Sequence, residues 1–209
     1  RLPQPNIKKG YSKEWPFLCL CVFQTCFRIT HIRANPGKLN YGSAGNASAG
    51  HLAMEYLKLV TGMYITHIPY RGTGPQLTDL LAGRTQASSA GMPALGAHIR
   101  SGKLRAIAVG TQQRIAAMPD VPTVAELGFK EFETSQWYGI HVPAGTPPEI
   151  VKRLQEESLR ALKSSAVTER FATDNAVGGG GPSSEYAAFI KNEQRIWSDI
   201  VKRAGIKPD

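Results

Sequence analysis

Apolar positions along most of this chain recur with two alternating periods. Over residues 48–62 (SAGHLAMEYLKLVTG), Leu52, Ala53, Tyr56, Leu57 and Val60 share one face of a 3.6-residue helix, and Gly62 is a stop signal. Residues 64–69 (YITHIP) follow as a β-branched strand. Residues 74–82 (GPQLTDLLA) read as a helix with Pro75 near its first turn. Residues 38–42 read as a short strand ending in a turn, 86–90 as a weak strand, 92–101 as a helix ended by Gly102, and 104–109 (LRAIAV) as a buried strand. Strands alternating with helices in this way predict an α/β fold with a parallel sheet and crossover helices.

The second half is more helical. A Pro-rich turn and a short helix are expected over residues 115–129, and a further strand over 137–142. The loop PAGTPP leads into a helix over residues 148–164 that gathers Ile150, Val151, Leu154, Ala161 and Leu162, with Ser158 as the polar exception. Four glycines, Gly178 to Gly181, form a flexible run. A long helix then ends near Ala204, with a stripe of Tyr186, Phe189, Ile190, Trp197, Ile200 and Val201 interrupted by Glu193.

With 209 residues, 42% of them hydrophobic and 20% charged, the chain can build a core of one or two domains. Its net charge of +9 invites a nucleic-acid reading. Residues 1–40, however, hold seven basic side chains against Glu14 alone, while the other 169 residues carry 18 basic and 15 acidic ones. That near-balanced body lacks the clustered basic and aromatic surface that grips phosphates, so no nucleic acid is expected. Cys19, Cys21 and Cys26 are an odd, clustered set with no matching pair downstream, which predicts neither a disulfide framework nor a zinc site. No run reaches the roughly 20 apolar residues that span a bilayer. The apolar run over residues 16–27 loosely copies a signal peptide, but Arg28, His31 and Arg33 follow it at once, so it reads as an atypical extension. A first residue of Arg reads as a fragment or a processed product.

Candidate chemistry lies in three strand-to-helix loops. In the first, Tyr41, Gly42, Ser43, Ala44, Gly45, Asn46 and Ser48 combine glycines with hydroxyl and amide donors ahead of a helix. Orphan N–H groups and the helix dipole favour an anion there, although a Ser or Asn cap in a Gly-rich turn accounts for the same residues. In the second, Tyr70, Arg71, Gly72 and Thr73 offer an aromatic wall and a guanidinium for a second carboxylate, unless Arg71 is a solvated surface charge. The third loop carries Ala90 and Gly91, with room for a ligand or simply a turn. Such loops share the carboxyl edge of a parallel sheet, where open α/β folds bind ligands. His67 reads as structural, and His51 either faces the pocket or does not. No nucleophile elbow, carboxylate pair or metal-ligand spacing is present, so no catalytic residue, metal or cofactor is expected.

The runs NPGKLNYGSAGNASAGHLAMEYL, HIPYRGTGPQLTDLLAGR, GKLRAIAVGTQQRIAAMPDVPTVAELGF, PAGTPPEIVKRL and AGIKPD, in this order, resemble the tripartite tricarboxylate transporter solute receptors, the Bug family. The resemblance covers about residues 34–209. It implies a periplasmic-binding-protein-like fold of two α/β lobes, a small carboxylate ligand gripped by Gly-rich loops at helix N-termini, a periplasmic location and two membrane partners. Family members carry roughly a hundred further N-terminal residues, which form most of a first lobe and bring a Gly-Gly loop to the site. The expected organisation is therefore an extension over 1–33, a ligand-binding lobe over 34–137, and a hinge crossing with C-terminal helices of an incomplete other lobe over 138–209. Those helices are expected to expose apolar faces, to dimerise, or to borrow residues 1–33 as cover. A truncated relic, a small-molecule enzyme and a sensor built on the same lobe are the other readings.

Overall fold

A computed structural model of the chain describes residue 29, residues 31–174 and residues 176–207. The three cysteines and most of the N-terminal extension lie outside the described residues. The first half is a parallel sheet with crossover helices, as the periodicity predicts. Strand β1 (Asn40–Ser43) leads through helix α1 (Ala49–Thr61) to β2 (Thr66–Pro69), and then through α2 (Thr73–Leu81) to β3 (Ala87–Ser88) and α3 (Met92–Arg100). The strand order is β2-β1-β3, both pairings are parallel, and Tyr41 stands opposite His67 on one side and Ala87 on the other.

Local chemistry fixes the ends of α1. The Ser48 backbone is extended and its hydroxyl accepts the His51 N–H at 3.4 Å. Gly62 turns left-handed at φ 63° and returns its N–H to the Lys58 carbonyl, a turn that a side chain disfavours. The apolar face of α1 packs Met54 and Leu57 against Tyr41, Met63 and Ile65. Ile29 and Ile32 are buried in this same cluster, so its packing crosses the boundary expected at residues 33 and 34. A smaller cluster joins Leu80, Leu95 and Leu104 under α2 and α3.

Three expected elements are absent. Residues 104–109 hold the buried Leu104, Ala106 and Ile107 but form no ladder, and only Val109 bridges Thr123. An apolar run marks burial, whereas a strand also needs a neighbouring edge to receive its N–H and C=O groups. Residues 137–142 likewise run as irregular chain, with Tyr138 82% and Ile140 73% exposed. Residues 115–129 make consecutive turns instead of a short helix, because Pro119 and Pro122 deny the ladder its donors.

The C-terminal third contains α4 (Pro148–Leu162), α5 (Ser165–Asp174) and α6 (Ser183–Ala204). Helix α5 lies between the elements expected from sequence, and a two-residue break at Lys163 and Ser164 separates it from α4. Helix α6 folds back on α1, burying Ile200 and setting Trp197 edge-on to Tyr56 at 6.4 Å. Helix α4 buries no residue at all, and Ile150, Leu154 and Phe189 stand exposed. Among the described residues no helix is long and apolar enough to cross a membrane.

Candidate functional site

The carboxyl ends of β1, β2 and β3 face the N-termini of α1, α2 and α3, and a cavity of about 110 Å³ opens where these ends converge. Ala44, Ser48, Ala49 and Gly50 line it from the first loop, Thr73 and Gln76 from α2, and Ser89, Ala90 and Gly91 from the third loop. Gln136 and Tyr138, from the irregular segment after the lobe, close one side. Ala49 and Gly50 begin α1, so their N–H groups have no acceptor within the helix. Helix α2 starts at Gly72 and α3 at Gly91, neither with a side-chain cap.

None of these three helices carries an acid in its first turn, whereas α4 has Glu149 and α6 has Glu185 there. Acidic residues commonly offset the positive end of a helix dipole. At this cavity three positive ends are left uncompensated, which favours an anion between them.

The loop chemistry divides the expected site residues. Ala44, Ser48, Thr73, Ala90 and Gly91 reach the cavity. Tyr41 is fully buried below it, its hydroxyl donating to Glu55 at 2.6 Å, and burial beside that carboxylate pushes the phenol up. Gly42 is also buried, because a methyl group there would sit 3.1 Å from the Tyr70 ring and 3.2 Å from the Gln76 chain. Ser43 is buried and donates to the Gly45 carbonyl at 2.9 Å. Gly45 is held at φ 138°, and its N–H already meets Ser43 Oγ at 3.2 Å. The Asn46 amide donates to the Lys207 carbonyl at 2.7 Å, tying the loop to the chain's C-terminal end.

The second loop behaves as support. Tyr70 donates its hydroxyl to Asp79 at 2.9 Å, and Arg84 with Tyr70 holds the Asp79 carboxyl below its ordinary value. Arg71 is exposed and outside the cavity lining, and Gly72 turns the backbone at φ 107°. Ala49, Gly50, Ser89 and Pro93 of the lining belong to the first and third candidate loops, whereas Gln76, Ala94, Gln136 and Tyr138 were missed by sequence reasoning. Gln76 was legible in principle as a first-turn residue of a predicted helix. Gln136 and Tyr138 come from a segment whose strand prediction failed. His51 is 5% exposed and lies under the first loop, outside the lining. Among the described residues no three His, Cys, Asp or Glu side chains gather as a metal site requires.

A family model described as "Tripartite tricarboxylate transporter family receptor" matches residues 25–206. Protein BugT of Bordetella pertussis is 39% identical over 179 residues, which cover 86% of this chain and 55% of BugT. Among solved structures, R. palustris Rpa4515 with adipate has a TM-score of 0.85 at 33% identity, over 95% of this chain and 64% of that one. MatC (Rpa3494) from Rhodopseudomonas palustris with bound malate has a TM-score of 0.75 at 28% identity, over 83% of this chain and 60% of that one. The chain thus spans 55% of the length of its curated relative BugT.

Proposed function

The chain belongs to the tripartite tricarboxylate transporter receptor family, and from that premise we propose that it receives a small carboxylate where the N-termini of α1, α2 and α3 meet. The observation that carries this reading is the convergence of three helix N-termini, none with a first-turn acid, on one cavity. A carboxylate placed against Ala49 and Gly50 accepts their N–H groups, and Thr73 can donate its hydroxyl from across the cavity. Arg71 points away from this arrangement and contributes as a solvated charge. Adipate and malate, the ligands of the two neighbours named above, are the natural probes.

Calorimetric titration tests the site. Adipate is expected to bind the full chain, Thr73→Val is expected to weaken binding about tenfold, and Arg71→Ala is expected to change it by less than about twofold. Absence of binding by every dicarboxylate tried overturns the proposal, and a large Arg71→Ala effect relocates the site to the second loop.

The wider reading follows the family. The protein acts in the periplasm as a binding component that hands its ligand to the transporter's membrane subunits, and not as an enzyme. Residues 34–137 serve as the ligand-binding lobe, with 138–209 crossing the hinge and presenting helices to the other lobe. The exposed Ile150 and Leu154, one turn apart on α4, form the face through which two copies associate. Sedimentation is expected to show a dimer that Leu154→Glu dissociates. A monomer at all concentrations removes this association.

A further inference from the structure

The loop that opens on the cavity rests on two stacked imidazoles. The rings of His51, from α1, and His67, from β2, lie 3.8 Å apart and 11° from parallel, and the Tyr41 ring lies 4.8 Å from that of His67 and 22° from parallel. Each imidazole holds one end of the loop. His67 Nε2 meets Ser43 Oγ at 2.6 Å, and His51 Nδ1 accepts the Ala47 N–H at 2.9 Å. The Ser43 hydroxyl already donates to the Gly45 carbonyl, so His67 is the donor in its own bond. His51 Nδ1 must be bare to accept. Its proton therefore sits on Nε2, 3.9 Å from the Glu55 carboxylate.

Ala47 needs this support. Among the described residues it is the one non-glycine at positive φ, 55°, a conformation that L-residues rarely adopt. Its N–H spends itself on His51, so the turn from Gly45 to Ser48 keeps its shape while that acceptor is present. Protonation of His51 at Nδ1 turns the acceptor into a donor facing a donor.

The groups that face His51 decide how readily this happens. Burial, the largest influence, opposes the cation, Glu55 on its own helix favours it, and Lys58, which pairs with Glu55 at 2.7 Å, opposes it. Tyr41 donates its hydroxyl to the same Glu55 oxygen, Oε1, that Lys58 meets. Burial outweighs Glu55, and His51 lies below its ordinary value.

We propose that His51 is a positioning residue of the carboxylate site, holding the Gly45–Ser48 turn in its receiving shape only while its imidazole is neutral. The inference rests on the proposed function for what the turn receives, but not for how the turn is held.

Amide exchange and imidazole titration, followed by NMR on the full chain without ligand from pH 7 to pH 4, separate the two. Protection of the Ala47 amide is expected to fall at least tenfold in step with His51 ring protonation. In His51→Asn an amide oxygen can replace Nδ1 as acceptor without titrating, so protection is expected to persist and to ignore pH. In His51→Ala it is expected to be lost at every pH. An Ala47 amide whose protection ignores the state of the His51 ring overturns the inference, and that wild-type measurement stands even if the variants fail to fold. In a parallel arm, adipate affinity is expected to fall more steeply over the same pH interval in the wild type than in His51→Asn, where only the ligand's own carboxylates titrate. Absence of adipate binding at pH 7 overturns the proposed function, whereas adipate affinity that is indifferent to His51 protonation overturns this inference alone.

Discussion

Gly50→Ala is expected to lower the free energy of unfolding by about 2–3 kcal/mol, although the same exchange in an ordinary helix raises it by about 0.5–1 kcal/mol. The sign is decided by contact. A methyl group at Gly50 overlaps the Ser89 carbonyl oxygen and lies 3.2 Å from its carbonyl carbon. Both are backbone atoms, so no flexible side chain can give way. Either α1 withdraws from β3 or the 89–91 segment moves out, and each motion reshapes the cavity that Ser89, Ala90 and Gly91 line. Urea denaturation reads the stability, and a raised midpoint would show that the close approach of the two segments is not maintained in solution. Gly45 is a milder case. It is strained for a side chain by φ 138°, and an added methyl sits 3.3 Å from the Tyr70 carbonyl oxygen.

Much of the lobe was legible because its elements announce their own ends. Ser48 and Gly62 bracket α1, and Gly72 and Gly91 open α2 and α3. Period and punctuation therefore gave element order, parallel topology and the edge on which the loops gather. Residues 104–109 and 137–142 failed for a common reason: hydrophobicity reports burial or the wish for it, while a strand depends on a partner that sequence does not display. The site was half legible. Small residues and hydroxyls ahead of a helix pointed to the loops whose ends line the cavity, yet within a loop the pattern could not say which residues turn inward. Tyr41, Gly42 and Ser43 belong to a strand buried on both faces, so they pack the floor while Ser48, Ala49 and Gly50 meet the cavity. The two histidines show the same limit, since 16 positions separate His51 from His67 in the chain and nothing in either neighbourhood announces a stack.

Acid is expected to weaken the folded chain well above the range in which carboxylates titrate. His67 is the reason. Burial first, and the adjacent His51 second, push its imidazole down to about 4 from the ordinary 6.5. A histidine whose folded value is depressed binds fewer protons folded than unfolded throughout that interval. Its contribution is therefore complete above pH 6.5, declines as pH falls, and is lost once pH passes through about 4. The interval corresponds to about 3 kcal/mol at most from this one group. Asp79 and Glu126 act in the same direction but lower on the scale. Their carboxyls are held down by Arg84 and Arg114, so their support is lost only below the ordinary carboxylate range. Urea midpoints should thus begin to fall between pH 7 and pH 5, above the ordinary carboxylate range. In His67→Gln the amide can still donate to Ser43 Oγ and does not titrate, so its midpoints are expected to fall less steeply than those of the wild type, the remaining slope belonging to His51, whose imidazole burial also holds below its ordinary value. Equal slopes for wild type and His67→Gln between pH 6.5 and pH 4.5 would assign the loss to other groups and remove His67 from the acid response.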